Sequence, residues 1–513
     1  MNGLPLSTFE LLVISLTVVI SAKFISMLYR QFTYWKKNNV PYISGIPVFG
    51  TSWKFIFRVL SFHDYFKFVY NYYPDVRYVG TMDFFTPVLF IRDPELIKEI
   101  GVKNFDNFPD RRGFVTEEMD PIFGKNVFSL KGDRWREMRN VLSPSFTANK
   151  MRFIFELMGK CSSDFVNYLY DHPECCTMIE VKDAFTRYSN DVIATTAFGI
   201  SVDSMKDRDN EFYKRGLDIS SFDGVSRLVK FMLFRLNPYL TRMAGITFLS
   251  KSTSKFFCDA ISKTVNARKE QGIVRPDMIH LLMQVENLKK SSSHQMHIDD
   301  IVAQAFIFFL AGFDTVSTLI CYLVHELALH EDVQERLRDE VDSYLEKGDG
   351  NISYEALLEM EYMEMVISET LRLHPPTSLV DRVCAKKFEL PPAAPGFRAV
   401  TVHPNQNVWF PVFGIHRDPK FFPDPEKFDP ERFNSENKGT IDPYAYIPFG
   451  LGPRKCIGNR FALMETKLLI VNLLQKFVIK ANEKTKRPIV YQKGNFTLIP
   501  KTGLWVTLEK RDN

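Results

Sequence analysis

The sequence has little that would divide it or tie it together covalently. No repeat, low-complexity tract or linker rich in proline, serine and glycine occurs after residue 50 of its 513 residues. The seven cysteines are an odd number without regular spacing, which excludes a disulfide framework and is typical of a reducing compartment. We therefore predict one large globular domain with free thiols.

Net charge and cofactor-binding motifs are also sparse. The net charge of +4 is too small to favour nucleic acid as a partner. No Rossmann-type glycine motif for NADPH or flavin is present, so electrons for a redox reaction would come from another protein. What the chain does have is 45% hydrophobic residues and 46 phenylalanines, which indicate an aromatic-rich core or cavity.

An apolar run near the N-terminus predicts a membrane anchor. Residues 9–28 carry charge only at Glu10 and Lys23, and a run of about twenty residues can cross a bilayer. Basic residues follow the run and none precedes it, so the positive-inside rule predicts a lumenal N-terminus and a cytosolic body. A cleaved signal peptide is the alternative, but it would need a basic n-region and a small-x-small cleavage site.

Three segments are predicted. We expect a transmembrane signal-anchor over residues 1–30 and a hinge over residues 31–50, where prolines and glycines interrupt any helix. A catalytic domain is expected over residues 51–513.

The stretch Phe449–Gly458 carries the strongest chemical signal. It contains three glycines and a proline around Cys456, which excludes a regular helix or strand, and helical spacing resumes just after it. Backbone amides and the dipole at a helix N-terminus favour a thiolate, which is a ligand for a soft or borderline metal. A small buried hydrophobic cysteine is the alternative interpretation.

The spacing Phe-x-x-Gly-x-Arg-x-Cys-x-Gly resembles the haem-binding loop of the cytochrome P450 family at every defined position. The resemblance implies that the thiolate of Cys456 ligates the iron of haem b and that Arg454 contacts the cofactor. It also implies a mainly helical prism with a small β subdomain.

A second match lies in the middle of the chain. A helix apolar on all sides is predicted from about Asp299 to about His330, and Gly312, Asp314 and Thr315 interrupt it. This interruption resembles the family's acid–alcohol pair, which implies that Thr315 hydrogen-bonds to bound dioxygen and that Asp314 relays protons. A threonine that bonds its own i−4 carbonyl is the alternative interpretation.

Further matches concern cofactor contacts. Trp135 and Arg139 share one face of a helix predicted from an N-cap Asp133, and they resemble the Trp-x-x-x-Arg pair that reaches a haem propionate. Arg111 and Arg382 are further propionate candidates from the resemblance. A cation–π pair on a surface helix and solvated arginines are the alternatives.

The last match is structural. Glu369 and Arg372 lie three apart on a helix, and Arg432 follows in Pro-Glu-Arg-Phe, as in the family's glutamate–arginine–arginine brace. The resemblance implies that these three residues hold the cysteine loop. A solvated ion pair is what the spacing alone would indicate.

Together the matches predict a microsomal monooxygenase on the cytosolic face of the endoplasmic reticulum. The resemblance implies haem b, an NADPH-dependent reductase and cytochrome b5 as redox partners, and a lipophilic substrate, with plant toxins or insecticides preferred over endogenous lipids or hormones. By their positions in the resemblance, the following residues are expected to line the substrate pocket: Phe114, Phe123, Phe128, Phe308, Phe309, Ala311, Thr377 and Leu498.

Two other functions stay open at this point. The same haem-thiolate fold can isomerise or dehydrate an oxygenated substrate without a reductase, and a carrier of haem or of lipophiles would have no turnover at all.

Overall fold

The structure, a computed structural model, describes residues 7–113, 115–221, 224–275, 277–288 and 297–511, without the side chains of residues 285–288. Phe114, one of the predicted pocket residues, lies outside the described residues. Helices dominate, as predicted, and the described ones are α1 (Thr8–Lys37), α2 (Trp53–Ile56), α3 (Phe62–Tyr72), α4 (Pro94–Lys98), α5 (Pro121–Gly124), α6 (Gly132–Leu142), α7 (Ala148–Asp171), α8 (Val181–Ile193), α9 (Glu211–Ser220), α10 (Val225–Leu236), α11 (Pro238–Met243), α12 (Lys251–Gln271), α13 (Met278–Leu288), α14 (Ile298–Ala311), α15 (Ser317–Leu329), α16 (Glu331–Lys347), α17 (Tyr354–Glu359), α18 (Glu361–Leu373), α19 (Val412–Ile415) and α20 (Asn459–Lys476).

The strands form small sheets beside the helical body. They are β1 (Tyr78–Asp83), β2 (Thr86–Ile91), β3 (Ile179–Glu180), β4 (Val380–Val383), β5 (Phe388–Leu390), β6 (Val400–Val402), β7 (Asn407–Phe410), β8 (Phe477–Lys480) and β9 (Trp505–Lys510). In the four-stranded sheet β2 lies between β1 and β7, antiparallel to β1 and parallel to β7, and β4 pairs antiparallel with the other edge of β7. A three-stranded sheet has the order β3-β9-β8, and β5 pairs with β6.

The end of the N-terminal helix packs against the body. A capping box at Ser7 and Glu10 opens α1, which continues to Lys37, beyond the anchor boundary expected at residue 30. Near its end the Trp35 indole donates to the Thr81 carbonyl at 2.8 Å, and the Gln31 amide donates to the Phe84 carbonyl at 2.8 Å. The apolar first part of α1 is exposed and the last turns pack on the β1–β2 hairpin.

Two helical segments of the described chain are long and apolar enough to cross a membrane. One is α1, whose apolar window is not buried in the protein. The other is the run Ile298–Leu329, which is mostly buried and serves as the central helix of the core.

The central helix is interrupted where its sequence is unusual. α14 ends at Ala311, a π-helical turn spans Gly312–Val316, and α15 continues to Leu329. A π turn frees backbone carbonyls from the regular i−4 pattern. α8 and α20 both pack against this turn, so the helix that follows Cys456 is its neighbour.

One local prediction is wrong. α6 begins at Gly132 after Lys131 and has no side-chain cap, so Asp133 is not the N-cap.

Candidate active site

Cys456 lies in a loop that the backbone closes tightly. Its N–H donates to the Phe449 carbonyl at 2.9 Å, and a 3-10 turn spans Gly452–Arg454. Gly452 has φ +64°, and a Cβ there would lie 2.1 Å from the Gly101 carbonyl oxygen. Only glycine fits this position. α20 begins three residues after Cys456, as the spacing predicts.

The electrostatics of the thiol differ from the expectation. Burial raises the pKa of Cys456, although the N–H of Gly458 and the positive charges of Arg111 and Arg139 oppose it. The Cys456 side chain nevertheless has accessible surface. Both observations hold for a thiol that is enclosed by its surroundings but keeps some accessible surface. A coordinated metal ion would stabilise the thiolate against the effect of burial.

Arg454 connects the cysteine loop to the segments before α6. Its guanidinium donates to the Pro109 carbonyl at 2.9 Å, to the Leu130 carbonyl at 3.0 Å and to Asp110 at 3.1 Å. The same group lies over the Trp135 ring, with its carbon 3.9 Å from the ring centroid. Burial, with repulsion from Arg111, lowers the pKa of Arg454 to about 9.

Two further arginines crowd the same place. Arg382 is fully buried, donates to the Leu451 carbonyl at 3.1 Å, and has its pKa lowered to about 9 by burial and by Arg111. Arg111 lies over the Phe128 ring at 4.3 Å, and burial lowers its pKa as well. Seven buried guanidinium nitrogens of the described residues have no hydrogen-bond partner, and three of them belong to this cluster: Nε of Arg111, Nε of Arg382 and Nη1 of Arg454.

The Trp135 and Arg139 pair takes a form that the sequence did not indicate. Trp135 is buried, and its cationic partner is Arg454. Arg139 donates to the Lys455 carbonyl at 2.8 Å, one residue before the cysteine. The interpretation as a cation–π pair on a surface helix is therefore wrong, and both side chains attach α6 to the cysteine loop.

The π turn brings polar groups into an apolar helix. The Thr315 hydroxyl donates to the Ala311 carbonyl at 2.6 Å, the i−4 bond that was the alternative interpretation. Ala311 and Thr315 are exposed, whereas almost every other residue of α14, the turn and α15 is buried. A Cβ on Gly312 would lie 2.8 Å from Cδ1 of Ile193, so α8 packs closely there.

Cys456, Ala311 and Thr315 thus have accessible surface on two elements that are packed together through α20. The positively charged cluster of Arg111, Arg382 and Arg454 lies beside the cysteine loop. We define the cleft as the region bordered by the accessible surfaces of these three residues, and we take it as the candidate active site.

The predicted brace is buried and well bonded. Glu369 and Arg372 have fully buried side chains and are joined by two hydrogen bonds of 2.7 and 2.8 Å. Arg372 also donates to the carbonyls of His416 and Pro425 at 2.9 and 2.8 Å. Arg432 is more distant, with Nε 3.5 Å from Glu369. Burial raises the pKa of Glu369, and both arginines oppose that rise.

The predicted pocket residues do not all lie together. Phe308 contacts Phe146 with ring centroids 5.4 Å apart, and Gly458 of the cysteine loop also approaches Phe146, so this pair lies near the cleft. Phe123 packs on Phe248 at 4.6 Å. Thr377 is exposed, and Phe128 is exposed under Arg111.

Phe123, Phe308, Phe309 and Leu498 all belong to the buried core cluster, and the last two are the most deeply buried. Phe309 is fully buried against Phe198 and Phe257. Leu498 is also buried, and its carbonyl accepts from the Tyr322 hydroxyl at 3.0 Å. We leave both out of the proposed pocket.

Two cavities of the described chain lie away from this chemistry. One of about 580 Å³ lies beside the hinge and is lined by residues such as Tyr42, Tyr72 and Phe397. One of about 120 Å³ lies near α10 and is lined by Phe231, Phe234 and Phe248 among others. Phe248 of the smaller cavity packs on Phe123, one of the predicted pocket residues.

Lys182 is a site residue that the sequence reasoning missed. Its ammonium lies 3.0 Å from the Asp314 carboxylate. A single lysine in the first turn of an amphipathic helix forms no pattern, and only the packing of α8 on the π turn reveals the contact.

The whole chain is similar to known proteins. The profile of the Cytochrome P450 family matches residues 41–506. Cytochrome P450 9e2 of Blattella germanica is 44% identical over 507 residues, which cover 94% of each chain. Probable cytochrome P450 9f2 of Drosophila melanogaster is 37% identical, covering 93% of this chain and 95% of its own. Cytochrome P450 6j1 of Blattella germanica is 32% identical, covering 97% of this chain and 99% of its own.

Proposed function

We propose that this chain, which belongs to the cytochrome P450 family, oxidises lipophilic small molecules. Xenobiotics such as plant toxins and insecticides are its proposed preferred substrates. Membership establishes a haem-thiolate monooxygenase that uses haem b and electrons supplied from NADPH by a reductase. The substrate class and the role of each residue are the proposal.

The residues fit haem b. Its two propionates are anionic, and they complement the arginine cluster. Burial and mutual repulsion destabilise the positive charges of this cluster, and some of its N–H groups have no partner, so bound anions would stabilise it. We assign Arg111, Arg139, Arg382 and Arg454 with Trp135 to the propionates and Cys456 to the iron. This match between charge and cofactor carries the proposal.

When bound, haem b activates dioxygen so that one oxygen atom can be inserted into a C–H bond of the substrate. The Thr315 hydroxyl lies at the accessible face of the turn, where it can turn from the Ala311 carbonyl toward a ligand in the cleft. Asp314, one residue earlier, is the acid that exchanges protons with water. Glu369, Arg372 and Arg432 hold the loop and take no part in the chemistry.

The walls of the site support a lipophilic substrate. Ala311 is an exposed apolar residue and Thr377 offers one hydroxyl, and Phe123 and Phe308 are 7% and 8% exposed. Apolar walls with few polar groups bind ligands mainly by burial of apolar area.

We further propose a location and partners. Helix α1 suits an anchor in the membrane of the endoplasmic reticulum, and the basic residues at its end favour a cytosolic catalytic domain. The proposed division into anchor, hinge and catalytic domain follows residues 1–30, 31–50 and 51–513. Cytochrome b5 is proposed as a second electron donor beside the reductase.

The test is turnover of the full chain in vesicles with purified NADPH-dependent reductase. A panel of plant toxins and insecticides is compared with sterols and fatty acids. We expect substrate-dependent NADPH oxidation, with oxygenated products mainly from the first group. Preference for sterols or fatty acids would contradict the substrate proposal, and product formation without NADPH would favour an isomerase or dehydratase.

A further inference from the structure

The acid of the central turn is held by a lysine from another helix. Lys182 Nζ lies 3.0 Å from Asp314 Oδ1, and their side chains are 19% and 10% exposed. The same ammonium lies 3.0 Å from Ser317 Oγ, 2.9 Å from Thr318 Oγ1 and 3.5 Å from the Asp314 carbonyl. The three N–H groups of the ammonium therefore have four acceptors on one side.

The two hydroxyls are oriented for this cation. Ser317 donates its proton to the Phe313 carbonyl at 2.8 Å, and Thr318 donates its proton to the Asp314 carbonyl at 2.7 Å. Because each hydroxyl proton is used on the backbone, the oxygen lone pairs remain for the ammonium. The π turn and the first turn of α15 thus form a cage for one positive charge.

Helix geometry alone would not favour a lysine here. Lys182 is the second residue of α8, whose N-cap Glu180 accepts from the Asp183 N–H. A cation in the first helical turn is disfavoured by the helix dipole. Partial burial adds a desolvation cost, which the carboxylate and the hydroxyls offset.

We propose that Lys182 is a positioning residue for proton delivery: its ion pair holds the Asp314 carboxylate on the α8 side of the turn. Without the ammonium, the carboxylate loses this ion pair and leaves the orientation from which it exchanges protons with water. The inference rests on the proposed role of Asp314.

The experiment is a double-mutant cycle on the full-length holoenzyme with reductase. Lys182→Met, Asp314→Asn and the double variant are compared for product formed per NADPH consumed and for the solvent deuterium isotope effect. We expect K182M to lower product per NADPH by about tenfold, less than the roughly 100-fold or more that a positioned acid itself contributes. The double variant should be no worse than D314N.

A second measurement does not depend on turnover. Hydrogen exchange of the amides of residues 312–318 is expected to accelerate in K182M, in protein prepared with or without haem. Lys206→Met is the matched control, because Lys206 forms an exposed ion pair with Asp203 and is 71% exposed. The control should leave both exchange and coupling unchanged.

The outcomes separate the two claims. If D314N lowers the coupling and K182M does not, or if their effects simply add, the inference about Lys182 is wrong and the proposed function stands. If D314N leaves the coupling unchanged, the proposed role of Asp314 fails, and this inference fails with it.

Discussion

The guanidinium of Arg454 lies face-on over the indole of Trp135, with its carbon 3.9 Å from the ring centroid. Arg454 stands two residues before the cysteine and Trp135 lies in α6. The contact therefore ties the loop that presents the thiol to the helix whose Arg139 reaches the same loop. A buried cation over an aromatic ring is stabilised more strongly than an exposed one, because water does not compete with the ring for the cation.

Removing the ring of Trp135 should loosen the loop. Trp135→Leu keeps an apolar side chain but loses the interaction with the cation, and we expect the free energy of unfolding to fall by about 2 kcal/mol with weaker haem retention. Trp135→Phe keeps a ring and should lose less. Denaturant midpoints of the two variants check this, and equal losses would show that only packing matters there.

Gly452 should be intolerant of any side chain. Gly452→Ala would place a methyl group 2.1 Å from the Gly101 carbonyl at φ +64°. The left-handed backbone alone costs about 1–2 kcal/mol, and the clash adds to it. We expect a protein with little bound haem, measured as haem per chain after purification.

The matched control is Gly439→Ala. Gly439 has no positive φ, and a Cβ there meets nothing within 4 Å. Its haem content should equal that of the unchanged chain. A similar loss of haem in both variants would contradict the claim that the backbone and the close contact at Gly452 require glycine.

The cysteine loop was predictable from sequence because its constraints are local. Gly452, Arg454 and Cys456 lie within five residues, and the φ that Gly452 adopts is one that its residue type favours. The contact between Arg454 and Trp135 was not predictable, since their partnership depends on how distant segments pack. The same holds for Lys182, whose role depends on the approach of α8 to the π turn.

The two arginines of the brace should differ in importance. Arg372→Met leaves the buried Glu369 carboxylate without its main partner, which costs about 3–5 kcal/mol. Arg432→Met should cost less, because Arg432 lies 3.5 Å from Glu369. Thermal midpoints and yields of soluble protein compare the two. Equal effects would contradict the assignment of Arg372 as the principal partner.

Glu465 predicts a pH dependence of stability. This carboxyl of α20 is fully buried and accepts from the Ser189 hydroxyl at 2.9 Å, and burial raises its pKa from the ordinary 4.5 to about 8. Between these values the folded chain keeps a proton that the unfolded chain releases. Its contribution to stability is therefore complete below about pH 4.5 and is lost as pH rises toward about 8.

Glu465→Gln cannot ionise and removes this dependence. We expect the stability of the unchanged chain relative to E465Q to decline between about pH 5 and about pH 8, measured as the difference in urea midpoints. A difference that is constant with pH, or that grows in favour of the unchanged chain, would show that Glu465 is ionised in the folded protein.

The apolar patterns in the sequence predicted the helices better than they predicted the residues of the substrate pocket. The span of the central helix was correct, because residues on all its sides are buried. The assignment of Phe309 to the pocket is not supported, since Phe308 and Phe309 have the same residue type and only packing decides which of them faces the cleft. The α1 boundary was set by apolar residues alone, whereas Gln31 and Trp35 extend the helix through contacts with the β1–β2 hairpin.

The most direct test of the account is the absorption spectrum of the reduced carbon monoxide adduct of the full-length protein. If the Cys456 thiolate ligates the iron, the adduct shows the long-wavelength band typical of a thiolate-ligated haem. The same band is lost in Cys456→Ser. A band typical of histidine-ligated haem in the unchanged chain, or a thiolate band that persists in the serine variant, would contradict the assignment of Cys456 to the iron.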